Sequence, residues 1–115
     1  MAHGARKEAF ANDQGAGSAD LLAAPGAGAQ YSLMKIQANI STAAGTGTHT
    51  IDFTDGSTVL FAMAAGDRGN FEFDFTSRYL DGGKPWGNNA KITVVVPTGC
   101  VASVNVIASL RASSG

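Results

Sequence analysis

From Met34 the chain reads Met-Lys-Ile-Gln-Ala-Asn-Ile-Ser, with an apolar residue at every second position. Met34, Ile36, Ala38 and Ile40 share one side, while Lys35, Gln37, Asn39 and Ser41 share the other. A helix, with its 3.6-residue turn, would scatter this pattern around its surface, whereas a strand sends successive side chains to opposite faces. The period recurs from Asn70 to Thr76, with Phe71, Phe73 and Phe75 opposed to Glu72, Asp74 and Thr76. Two such runs demand a sheet with one buried face and one wet face.

Further short apolar runs are separated by turn residues. The spacing predicts strands over residues 21–23, 31–41, 48–53, 58–63, 70–76, 91–96 and 101–110. The expected fold is all-β: a single β-sandwich or jelly-roll-like barrel of about seven or eight antiparallel strands. A chain of 115 residues suits one domain. Fifteen glycines and a charged fraction of 15% favour turns and strands, because helices usually carry more Glu, Lys and Leu. Residues 1–19 lack sustained periodicity and are expected to form an extended N-terminal arm, with a helical turn near residues 6–11, ahead of a sandwich over residues 20–115. The expected inward set is Met34, Ile36, Ala38, Ile40, Ile51, Phe53, Val59, Phe61, Phe71, Phe73, Phe75, Ile92, Val94, Val96, Val104, Val106 and Leu110.

Asp55-Gly56 invites a two-residue hairpin turn, but that register would mix polar and apolar residues on both faces. A three-residue loop over residues 54–56 instead sets Phe53 opposite Ser57, Ile51 opposite Val59 and His49 opposite Phe61. Gly56 then occupies the left-handed position of a bulge. The other glycine-rich stretch to weigh is Pro25-Gly26-Ala27-Gly28. A dinucleotide fingerprint needs a third glycine where Tyr31 stands, and a helix where the alternating strand begins, so this stretch is expected to be a turn.

Residues that carry chemistry are sparse. His3, His49 and Cys100 are not at metal-ligand spacing, no Gly-x-Ser-x-Gly elbow occurs, and Asp52 and Asp55 miss the alternate positions of a calcium loop. Neither an enzyme nor a cofactor is expected. The net charge is −1 without a basic patch, which removes the usual footprint of nucleic-acid binding. The longest apolar stretches fall well short of a membrane-spanning helix, and the N-terminal residues lack a signal-peptide core. With one cysteine, folding in a cytosol is the expectation.

The candidate contact residues lie elsewhere. Residues 81–90 hold the single tryptophan, Trp86, with Lys84 beside it and Arg78-Tyr79 just before. Either Trp86 is part of a contact loop, as tryptophans at interface hot spots are, or it folds back and plugs the end of the sandwich. Phe10 is a lone aromatic in the polar first segment and a candidate anchor.

In this layout the chain resembles the small decoration, or cement, proteins on the heads of tailed bacteriophages. The resemblance rests on Ala24-Pro25-Gly26-Ala27-Gly28 leading into the strand over residues 31–41, on Phe71/Phe73/Phe75 with the exit Arg78-Tyr79-Leu80, and on Gly99 followed by Val104-Asn105-Val106. It covers residues 20–112 and is one of layout and composition. It implies a virion protein made in a host cytoplasm, trimeric, and bound to the major capsid protein on the outer shell. The arm would then dock on the capsid or a neighbouring copy. The alternative is a carbohydrate- or receptor-binding sandwich of a tail or fibre, with Trp86 and Tyr79 as stacking platforms.

Overall fold

The alternating segments are strands. The computed structural model describes residues 6–45, 49–77, 79 and 82–112. Along these run β1 (Arg6–Gln14), β2 (Gly17–Leu22), β3 (Ala29–Thr42), β4 (Thr50–Thr54), β5 (Val59–Ala64), β6 (Gly69–Asp74), β7 (Lys84–Asn88), β8 (Ile92–Val96) and β9 (Val101–Ala112). All pairings are antiparallel. One sheet has the order β1-β9-β3-β6, and the second has the order β2-β8-β4-β5. β7 also pairs β3 and shares its free edge with β6: Leu33 meets Lys84, whereas Lys35 meets Asp74. The inner faces join in one core that includes Leu33, Ile36, Ile40, Ile51, Phe53, Ile92, Val94, Val104 and Val106, all fully buried. The fold is a β-sandwich, as the period-two runs require.

The long strand β3 breaks its alternation once. Leu33 faces Ala108 and Lys35 faces Ile107, leaving Met34 as the extra residue of a bulge. Before the bulge Tyr31 and Leu33 point inward; after it Ile36, Ala38 and Ile40 do. Met34, expected inside, is therefore only half-buried, and Leu33 holds the core position. The Phe75 N–H donates to the Met34 carbonyl at 2.8 Å, so the bulge also anchors the exit from β6.

Residues 6–19 are not an arm. β1 pairs along β9 from Arg6 opposite Ser109 to Ala11 opposite Val104, and β2 pairs with β8 from Gly17 opposite Val96. The expected helical turn is strand, and the boundary at residue 19 falls inside β2. The physical reason is that β1 turns only alanines, Ala9 and Ala11, towards the core and so carries almost no hydrophobic period. Backbone hydrogen bonding, which sequence periodicity does not report, places it. β7 escapes notice for a related cause: Pro85 and Gly87 depress strand propensity, and an edge position tolerates both. Pro25-Gly26-Ala27-Gly28 is a turn, with Ala29 N–H donating to the Gly26 carbonyl at 3.1 Å and positive φ at Gly26 and Gly28.

The β4–β5 register corrects the expected hairpin. Phe53 lies opposite Phe61, Ile51 opposite Met63, and a register shift follows before Thr54 meets Val59. The loop has four residues, 55–58, held by the Asp55 carboxylate, which accepts from Thr58 N–H at 2.7 Å and from Ser57 N–H at 3.0 Å. That side chain closes the longer loop and moves Val59, expected inside, to the surface at 49% exposure. Removing the carboxylate with Asp55→Ala is expected to cost about 1–2 kcal/mol in chemical denaturation, as for a lost helix cap.

The same carboxylate predicts a pH response. The Thr58 and Ser57 backbone N–H groups hold Asp55 below its ordinary pKa of 3.8. Asp20 is lowered by the Thr93 hydroxyl and then Lys91, and Asp74 by the Thr76 hydroxyl and then the Thr76 N–H. A folded pKa below the unfolded one means that the unfolded chain binds protons more readily. The stability these groups contribute is complete above 3.8 and is lost as pH falls through their depressed folded values. Thermal melts are expected to show little change from these groups between about pH 7 and 5, where their contribution is complete, and falling stability below about pH 4. Asp55→Ala should flatten part of that fall.

Candidate functional site

The structure separates the sequence-predicted contact residues. Trp86 is 2% exposed, its indole N–H donates to the Lys91 carbonyl at 2.8 Å, and its own carbonyl accepts from the Gln30 amide. An indole so enclosed offers no face to a partner, which corrects the contact reading of Trp86 and leaves it as the plug of the sandwich. Tyr79 is half-buried, with its ring against Phe75 at 6.3 Å and the Lys84 ammonium 5.6 Å from its centroid. Tyr79 and Lys84 therefore engage each other at the β7 end. Arg78 lies outside the described residues, as does His3. Beside Tyr79, Phe53, Phe61, Phe73 and Phe75 form a continuous cluster, with Phe61 edge-on to Phe73 and Phe75 at 5.1 Å each. The cluster closes the sandwich between β5 and β6.

Phe10 stands apart from all of these. It is 62% exposed, on the outer face of the first sheet, directly opposite Asn105 of β9. Asn105 in turn faces Gln37, which faces Glu72. One register step along lie Ser103, Asn39 and Asn70. These side chains bond to one another: Asn39 Nδ2–H to Asn70 Oδ1 at 2.7 Å, Gln37 Nε2–H to Glu72 Oε1 at 3.3 Å, and Asn105 Nδ2–H to Gln37 Oε1 at 3.3 Å. Lys35 pairs with the second Glu72 oxygen at 3.4 Å. Together with Phe10, all of these but Lys35 line a shallow groove of about 590 Å³.

The sheet edges differ in a second respect. A free edge presents unpaired N–H and C=O groups, and natural edges are usually guarded by charge, proline or bulges. β1 carries Arg6, Lys7, Glu8 and Asp13; β2 carries Asp20; β6 carries Glu72 and Asp74; β7 carries Lys84 and Pro85. β5 is Val-Leu-Phe-Ala-Met-Ala, with neither charge nor proline, and among the described residues it ends the second sheet. Val59, Ala62 and Ala64 are exposed on it.

No protein-family model matches the chain, and no curated protein does. Among solved structures it aligns with a chain from work described as "Bacillus endospore appendages form a novel family of disulfide-linked pili". The alignment covers 100% of this chain and 93% of that one, at 14% identity and a TM-score of 0.43.

Sequence reasoning singled out Phe10 but not the polar ladder beside it. The signal was present as the outward half of the alternation, Gln37 and Asn39. Their partners on β6 and β9 become legible only with the register. The β5 edge was readable as an apolar run, but its place at the end of a sheet was not.

Proposed function

We propose that the chain is a non-catalytic structural protein that assembles through the β5 edge, and that its setting is the outer surface of a phage head. There, as a homotrimer, it binds the major capsid protein and cements the shell. The observation that carries the assembly reading is the unguarded edge. Among the described residues β5 pairs with β4 alone, and a strand with exposed, uncharged residues and one side without a partner strand is a template for strand addition. A trimer requires a heterologous contact, in which β5 of one copy meets a different surface of the next and the ring closes. Repetition over a symmetric shell then raises effective affinity without strong individual contacts. The capsid setting rests on the resemblance in layout. Because residues 6–14 and 17–19 are in sheet strands, docking of a free arm on a neighbouring copy is replaced by docking through an edge. The sugar-binding alternative built on Trp86 and Tyr79 loses its principal platform with Trp86 inside the core.

Co-sedimentation with purified capsid shells tests the setting. The wild-type chain is expected to pellet with shells and to raise their melting temperature. Charges placed on the edge by Ala62→Lys with Ala64→Lys should abolish both effects. Equal binding by the double variant would refute assembly through β5 as the basis of shell binding.

A further inference from the structure

We propose that the groove on the outer face of the first sheet is a binding site for a neutral oligosaccharide. The groove lies on β1, β9, β3 and β6, away from the β5 edge, and the inference does not depend on the assembly reading. Its volume of about 590 Å³ falls within the range typical of small-ligand sites.

The chemistry of the lining selects the ligand. Asn39, Asn70 and Asn105 each spend one polar atom on a neighbouring side chain. An amide has two N–H donors and an oxygen with two lone pairs, so each retains both kinds of group for a ligand. After these bonds the Asn39 and Asn105 oxygens and the Asn70 N–H₂ remain directed by side chains that are already tied together. A hydroxyl both donates and accepts, and a row of hydroxyls matches a row of alternating amide groups. The mutual bonds also hold the amides in place before a ligand arrives, which lowers the ordering cost of binding.

Phe10 supplies the second half of the recognition. A pyranose ring has an apolar face of C–H groups with its hydroxyls around the rim. Stacked on the exposed ring of Phe10, it would direct hydroxyls towards Asn105, directly opposite on β9. Charge narrows the class further. Glu72 stands at the β6 side of the groove with one oxygen on Gln37 and the other on Lys35, and among the described residues that line the groove there is no Lys, Arg or His to hold phosphate or sulfate. The four strands lie about 4.8 Å apart, a width of roughly 14 Å from β1 to β6, which accommodates a short oligosaccharide rather than a single ring.

The test titrates the full chain with cellotetraose, maltotetraose and chitotetraose, reading side-chain amide signals by two-dimensional NMR. At least one tetrasaccharide is expected to shift the Asn39, Asn70 and Asn105 amides. Phe10→Ala should weaken that response roughly tenfold, the effect of losing about 1.4 kcal/mol. Phe10 is exposed, so the variant should fold, and Phe10→Trp should retain or tighten binding. Silence of these amides towards all three sugars would overturn the proposal. So would shifts unchanged in Phe10→Ala, or a stronger response to an uncharged tetrapeptide than to every sugar. Phe10→Ala should leave the solution mass unaltered, so loss of sugar binding and loss of assembly are read separately.

Discussion

Deleting residues 1–19 is expected to unfold the protein rather than release an intact domain. Seven positions of β1 pair with β9, and β2 closes the other sheet against β8. At about 1 kcal/mol net per hydrogen bond, removing β1 alone costs on the order of 5 kcal/mol. That is comparable with the whole stability of an ordinary domain, about 5–15 kcal/mol. The deletion also uncovers Val104, Val106 and Ala108 of β9 at a new edge, and these are fully buried in the intact chain. Circular dichroism and NMR signal dispersion check this directly. A truncated chain with native dispersion and an unchanged melting temperature would mean that β1 contributes nothing to the sandwich.

Trp86→Ala should have an effect of similar size. The indole is among the largest fully buried side chains, and deleting a buried aromatic typically costs about 3–5 kcal/mol through lost transfer energy and the cavity left behind. For a domain of this size the melting temperature should fall by roughly 12 °C or more. Trp86→Phe keeps much of the volume but leaves the Lys91 carbonyl without its donor, for about 1–2 kcal/mol. The emission of Trp86 should be that of a buried indole and should not respond to sugars bound at Phe10. A red-shifted emission that sugars quench would place Trp86 at the surface and reverse the assignment of the ligand face.

How much of this was legible follows from where each residue puts its hydrophobicity. Strands β3, β6, β8 and β9 show a period of two or an unbroken branched run, and they were readable because one or both faces are buried. β1 was not, since its inward side chains are alanines and its stability lies in backbone pairing with a distant strand, 103 residues away where Arg6 meets Ser109 on β9. Met34 misled for a different reason: a bulge reverses parity without changing composition, so Leu33 and Met34 exchange roles. In the hairpin, the Asp55 side chain selected a loop that a count of turn residues does not distinguish from shorter ones. Phe10 could be singled out as a lone aromatic. Its polar neighbours come from β9, β3 and β6, and no local pattern assembles them.

The measurement that bears most directly on assembly through β5 is the solution mass of the full-length chain by light scattering, beside that of the Ala62→Lys, Ala64→Lys variant. Three chains of 11.7 kDa give about 35 kDa for the wild type, and the variant should fall to the mass of one chain. Equal masses for the two proteins would contradict an assembly edge at β5.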